Sequence, residues 1–440
     1  MAVLVSSFRM FWPGTAAQSR VWTNMGWLFA DRLVRQGVGL VILIWLARYL
    51  GPSDFGLFNY ATAYVALIWS FTDLGLSSIV VRDLVNKPSE TREIVGSTFF
   101  LRLGAVALAW GIAVAGIGWL RHGQPLTATL VMVIATGMTF QVSDTFAWWF
   151  EALVQSKYVV CARSSAFLLS AALRVALILS HASLVAFAYA NAAELVVGAI
   201  GIVIVFYARQ TVHFRLGMSW STARSLLRDS WPLIFSNLAI VLYMRLDQVM
   251  LGNMRGDAEV GIYSVVVLIA EAAYIIPMIV MPSLLPDIVA AKQQSDALFY
   301  ERLDHLYRLM AFLAYAIAVP LALTSGWLVK FLFGSAYASG GPVLAVLAFA
   351  GIFTFMGVAR TAFLVTMNWS KTHLAAVSTS CVLNVVLNLV LIPKYGALGA
   401  AVASTIAYWF AVHGFCLFYK PLHPTAAMLT RVLLYPKFWR

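Results

Sequence analysis

Residues Leu46–Asp83 read LARYLGPSDFGLFNYATAYVALIWSFTDLGLSSIVVRD. A helix end, a Gly51-Pro52 turn, an apolar run long enough to cross a bilayer and a charged, amphipathic exit follow one another. Pro52 has no amide proton and its ring clashes with the preceding helical turn, so the pair closes one helix. Ser53 or Asp54 then offers a side-chain oxygen to the open amides of the next. Phe55, Phe58 and Tyr60 follow the turn, where amphipathic rings suit the headgroup layer of a membrane. The stretch spells one membrane hairpin.

Composition extends that reading to the whole chain. Of 440 residues, 62% are hydrophobic and 11% charged, with a mean hydropathy of +0.85; a soluble domain carries roughly 25% charged residues. The expected class is an all-α integral membrane protein. With about 20 apolar residues per span, the chain holds about twelve transmembrane helices. They fall at roughly 24–48, 54–76, 97–120, 126–150, 159–180, 183–207, 230–252, 260–285, 306–330, 342–367, 372–392 and 397–419. A polar interval over Ala208–Asp229 divides them six and six. Expected domains are an N-terminal six-helix lobe (1–215), a C-terminal six-helix lobe (216–419) and a short cytoplasmic tail (420–440). Leu50-Gly51 to Gly56-x-Phe58 in the first half resembles Leu251-Gly252 to Gly261-x-Tyr263 in the second, as a parallel repeat would. Before Trp22 stand Arg9, Pro13 and Arg20 but no long apolar core with a cleavage site, so the first span is expected to be its own insertion signal.

Basic residues orient the spans. Twenty of the 30 lysines and arginines fall in alternate segments that include Arg82, Lys87, Arg215, Lys292 and Lys437, whereas Arg48, Arg121, Arg255, Lys330 and Lys394 alone occupy the opposite side. By the positive-inside rule both termini are cytoplasmic. The net charge of +12 therefore reflects topology, and no basic stripe on a soluble module points to nucleic acid. Cys161, Cys381 and Cys416 lie far apart in or beside apolar runs and read as structural thiols. The sequence has no phosphate-binding GxxxxGK[ST] loop, no HExxH, no DxD and no GxSxG, so neither an enzyme nor a cofactor or metal is expected. The sequon Asn368-Trp369-Ser370 falls in an inner loop and reads as chance.

Four stretches together carry a family resemblance. The turn LG-x-x-x-FG-x-F/Y at Leu50 and the TDLGL exit at Thr72 open it. Met244–Asp287 adds an intramembrane Asp247, a Val260-Gly261-x-Tyr263 span start and a proline-rich exit. Phe333–Leu344 (FGSAYASGGPVL) and Lys371–Tyr408, with LNVVLNLVLIPKYGALGAAVAST inside it, complete the set. This pattern resembles the Wzx-type polysaccharide flippases of the MOP superfamily. The resemblance implies a MATE-like, V-shaped pair of lobes in the bacterial plasma membrane. It also implies alternating-access export of an undecaprenyl-pyrophosphate-linked oligosaccharide for O-antigen or exopolysaccharide synthesis. Implied partners are that lipid-linked oligosaccharide, membrane lipids, and the polysaccharide polymerase and chain-length proteins. The rival within the superfamily is an ion-coupled multidrug exporter, and a sugar polymerase or ligase is the enzyme rival. Surplus intramembrane arginine argues against the first and short outer loops against the second. Small residues from Gly396 to Ser404 favour close helix packing, and Pro277, Pro282 and Pro286 are expected to break or kink the eighth span.

Charges inside the spans supply the candidate site. An arginine at mid-membrane costs roughly 2.5 to 3.5 kcal/mol on insertion scales, so such groups face one another or water. At about 1.5 Å per residue, Arg245 and Glu271 stand at matching depths on either side of one turn. Arg174 and Glu194 do the same across the turn near His181, and Asp31 with Arg35 is an i, i+4 pair. That assignment uses neither Arg32 nor Arg360 and leaves Asp247 as a further acid. Substrate-binding candidates are accordingly Arg32, Arg35 and Arg360, with Arg174 and Arg245, because a guanidinium fork binds phosphate oxygens in pairs. Asp31, Asp247 and Glu271 are the candidates for coupling to a proton or sodium gradient. Asp73 and Asp144 lie near inner helix ends and read as solvated or capping groups.

Overall fold

The structure, a computed structural model, describes residues 16–209, 216–367 and 369–435. Arg9, Pro13, Arg215, Asn368 of the sequon, Lys437 and Arg440 lie outside the described residues. Among those described, all regular structure is helical. In chain order the α-helices are α1 (Ala16–Trp69), α2 (Leu76–Asn86), α3 (Thr91–Leu120), α4 (Pro125–Thr139), α5 (Asp144–Ala152), α6 (Lys157–Leu179) and α7 (Leu184–Arg209). Then follow α8 (Trp220–Arg255), α9 (Asp257–Ala272), α10 (Ile275–Gln294), α11 (Asp296–Phe333), α12 (Gly340–Thr366), α13 (Ser370–Trp409), α14 (Phe415–Phe418) and α15 (His423–Leu434).

Ten helical stretches among the described residues are long and apolar enough to cross a membrane. Two of them are bent back within their length. In α1, Gly51 has φ 72° and ψ 174°, a conformation that a side chain would strain, and Pro52 starts the next turn from it. In α13, Gly396 plays the same part three residues after Pro393. Counting both arms of each bend gives the twelve crossing segments expected from composition. Trp119 and Leu323 are 85% and 83% exposed, as befits side chains that lipid covers.

The chain packs as two compact units, one of residues up to Ile42 with Ile68–Phe235, the other of Leu43–Leu67 with the residues from Ser236 on. The first unit is cored by aromatic rings. Phe146 of α5 and Phe206 of α7 stand 4.5 Å apart between centroids. Amphipathic α2 lays Leu76, Val80 and Leu84, spaced four apart, into that cluster. Within the central interval, Ser219 and Ser97 of α3 exchange hydrogen bonds of 3.1 and 3.2 Å, and α8 is helical from Trp220, so the second half of the interval is not a loop.

The second unit is cored by Phe299, Tyr307, Met310, Phe355 and Phe363. Leu422, Ala426, Leu429 and Val432 join that core, so the segment expected as a tail is in large part the docked helix α15. Gly56 packs on α9: a Cβ there would lie 1.8 Å from the Asp257 carbonyl oxygen, and one on Gly261 would lie 2.0 Å from that of Pro52. The two glycines matched by the internal repeat thus meet. This close approach explains a correction, because Phe55 and Tyr60 are not at a headgroup surface. Both are buried, and the Tyr60 hydroxyl donates to Asn253 Oδ1 at 2.9 Å. The eighth span carries the expected break at the first of its three prolines. It breaks at Ala273–Tyr274, ahead of Pro277, whose ring excludes the carbonyl four residues back, while Pro282 and Pro286 continue inside α10.

Candidate functional site

Helical spacing places Asp31 and Arg35 on one face of α1, and Arg35 Nε donates to Asp31 Oδ1 at 3.0 Å. Ser164 of α6 also donates to that carboxylate. Arg35 reaches Glu194 of α7 at 3.6 Å and lies over the Phe167 ring at 5.1 Å. Glu194 in turn accepts from Arg174 at 3.0 Å. One charged chain, Asp31–Arg35–Glu194–Arg174, therefore ties together three helices of the first unit. A second pair lies close by, Arg163 Nη2 donating to Asp144 Oδ1 at 2.6 Å. Asp144, partly exposed in the first turn of α5, is thus also an ion-pair partner.

These charges border a cavity of about 310 Å³ within the first unit, lined by Arg35, Phe140, Gln141, Asp144, Arg163 and Glu194 among others. The cavity sits where the fourth span departs from α-helix: Phe140–Ser143 is a 3-10 turn between α4 and α5. Irregular backbone at membrane depth persists only where it faces protein or a wet cavity. Behind the turn, Arg102 of α3 is buried and donates to the carbonyls of Thr72 and Val142 and to Thr145 Oγ1, each at 3.4 Å. Its guanidinium covers the Trp148 ring at 4.6 Å.

In the second unit, Arg245 and Glu271 pair at 3.7 Å across the α8–α9 turn. Asp247 is buried with no ion-pair partner among the described residues; it accepts from the Tyr263 hydroxyl, from Ser404 at 3.3 Å and from the Gln248 amide at 2.8 Å. Asn384 and Asn388 extend this polar patch, bonded to Ser404 at 3.4 Å and to each other at 2.9 Å. Arg360 is only 2% exposed. Its Nη1 meets Cys416 Sγ at 3.4 Å, and its Nε has no hydrogen-bond partner among the described residues.

All three pairs inferred from spacing are present, and the structure joins two of them through Glu194. Arg35 is a bridging, carboxylate-paired cation, and Arg32 is exposed on the same helix. Sequence reasoning missed Arg163, Asp144, Phe140 and Gln141 at the cavity, and Arg102 behind it. The depth arithmetic used for Arg245 and Glu271 would have found Arg163 with Asp144, which flank the turn at 153–156.

Residues 21–291 match the family described as "Polysaccharide biosynthesis protein". The capsular polysaccharide biosynthesis protein CapF of Staphylococcus aureus is 22% identical over 405 residues, 90% of this chain and 98% of that protein. Among solved structures, the lipid II flippase MurJ in an inward closed conformation aligns with a TM-score of 0.68 at 15% identity, over 92% of this chain and 90% of that one. An inward-facing MATE multidrug transporter of the MOP superfamily aligns with a TM-score of 0.67 at 13% identity, over 90% and 95%. The fold is that of MOP-superfamily membrane transporters, and by its match over more than half its length the chain belongs to the polysaccharide biosynthesis protein family.

Proposed function

We propose that this protein flips an undecaprenyl-pyrophosphate-linked oligosaccharide from the cytoplasmic to the outer leaflet of the bacterial plasma membrane by alternating access, with both termini in the cytoplasm. The observation that carries the reading is a polar, charged cavity inside a unit built of long apolar helices, in a chain of a polysaccharide biosynthesis family. A spanning protein retains such costly groups where a hydrophilic cargo or an ion must pass.

Roles divide by pairing. Arg35, Arg174 and Arg245 are each committed to a carboxylate and hold helices together. Arg360 has no carboxylate beside it among the described residues, and it serves the anionic pyrophosphate linkage together with Arg32, which is exposed on α1. Asp31 and Glu271 are likewise held by arginines, which leaves Asp247 as the carboxylate best placed to take up and release a proton or a sodium ion.

Deleting the protein in a strain with no second flippase should abolish surface polysaccharide, with lipid-linked units accumulating on the cytoplasmic leaflet. The Arg32→Ala, Arg360→Ala double variant should be inserted at normal abundance but fail to restore export. Normal surface glycan in the deletion strain would overturn the function, and normal export by the double variant would overturn the arginine assignment alone.

A further inference from the structure

The cavity of the first unit has a composition that the pyrophosphate linkage does not explain. Its two guanidiniums, Arg35 and Arg163, are answered by two carboxylates, Glu194 and Asp144, at 3.6 and 2.6 Å. The formal charge of the lining is therefore zero. A pyrophosphate entering it would be repelled by both carboxylates or would have to strip them from their partners, leaving charges uncompensated in a low dielectric. A lipophilic cation would meet the arginines. What remains is a neutral ligand that both donates and accepts hydrogen bonds.

The lining has capacity for such a ligand. Each guanidinium carries five N–H donors and each carboxylate about four lone-pair sites. The Arg163–Asp144 contact uses one donor and one acceptor oxygen. Gln141 adds an amide that both donates and accepts, and it makes no side-chain hydrogen bond among the described residues. Phe140 lines the same cavity, is 41% exposed and offers an apolar ring face beside these groups. Adjacent hydroxyls on one side and a C–H face on the other are the features of a pyranose ring. The 3-10 turn puts Phe140 and Gln141 side by side at the cavity wall. Its place midway along the fourth span is where a functional break in a helix is expected.

We propose that this cavity binds a neutral sugar ring of the cargo's repeat unit, and so selects the glycan separately from the groups that handle its anionic linkage. The proposal rests on the flippase reading above and adds to it a sugar subsite built by Phe140, Gln141 and the two Arg–carboxylate pairs.

The test uses full-length protein in nanodiscs and, as probes, methyl glycosides of the sugars in the strain's own surface polysaccharide, followed by saturation-transfer NMR. Wild type should bind at least one glycoside, and excess inorganic pyrophosphate should not displace it. Phe140→Ala and Gln141→Ala should each weaken that binding about tenfold at unchanged melting temperature. Should Phe140→Ala fold poorly, Phe140→Leu keeps the volume and removes the aromatic face, with the same weakening expected. Displacement by pyrophosphate would make the cavity an anion site and overturn the proposal. So would binding unchanged in all these variants, or no glycoside bound by wild type. Loss of the sugar subsite in these assays, with surface glycan still dependent on the protein in cells, would sink this inference and leave the flippase reading standing.

Discussion

Glu194 accepts from Arg174 and also faces Arg35, so a single carboxylate links two arginines drawn from different helices. Breaking a buried ion pair by removing one partner costs about 3 kcal/mol or more, whereas removing both is far milder. Glu194→Ala should therefore lower the melting temperature and yield of the detergent-extracted protein, and Arg174→Ala should do so less. The Arg174→Ala, Glu194→Ala double variant should recover part of the Glu194→Ala loss, read by size-exclusion chromatography and thermal melts. A loss in the double variant equal to the sum of the two single losses would mean that the two side chains do not interact. Arg174–Glu194, Arg245–Glu271 and Asp31–Arg35 were legible in sequence because each is local: two sit at equal depths across a hairpin, and one is a helical i, i+4 repeat. Arg35–Glu194 was not, since it joins the first helix to the seventh and no local period encodes that contact. Gln141 and Phe140 escaped for another reason, since nothing in an apolar run marks where a helix will tighten into a 3-10 turn.

Among the elements, the crossing of α1 on α9 depends on the absence of two side chains. A Cβ on Gly56 would lie 1.8 Å from a backbone carbonyl oxygen, which no rotamer change relieves. Overpacking of this kind typically costs 1 to 3 kcal/mol, and with rigid backbone as the neighbour the cost should reach or pass roughly the upper end. Gly56→Val should abolish recoverable folded protein. Gly118→Ala, at a helical site with open space around it, should leave the yield as in wild type, its effect on stability being within about 0.5 kcal/mol. A normal yield of Gly56→Val would contradict the close packing of these helices. The turns at Gly51 and Gly396 were legible, because Gly and Pro punctuate apolar runs strongly. The break ahead of Pro277 was legible too, since proline disrupts the turn that precedes it. Phe55 and Tyr60 were misplaced because aromatic residues near a turn suit both a lipid interface and a buried crossing, and only the partner helix decides between them.

For the molecule as a whole, span number, class and family were readable because hydrophobic length is the strongest signal a membrane protein carries. Its cavity was not readable as a whole, because the 3-10 turn at Phe140–Ser143 and the long-range contact of Arg35 with Glu194 leave no local signal. The bias of basic residues makes the orientation testable: reporter fusions after Lys87 and Lys292 should read as cytoplasmic, and fusions after Arg121 and Lys330 as external. An external reporter at Lys292 would reverse the assignment of the second half. Beyond topology, the central claim is movement of a lipid-linked glycan across the bilayer, and proteoliposomes test it most directly. Purified protein is reconstituted with the strain's own lipid-linked oligosaccharide, and a membrane-impermeant lectin counts the units exposed on the outer leaflet. The account predicts that exposure rises with time only in vesicles that contain the protein, and that the Arg32→Ala, Arg360→Ala variant removes the rise. Exposure no faster than in protein-free vesicles, with active extrusion of a cationic drug by the same preparation, would contradict it.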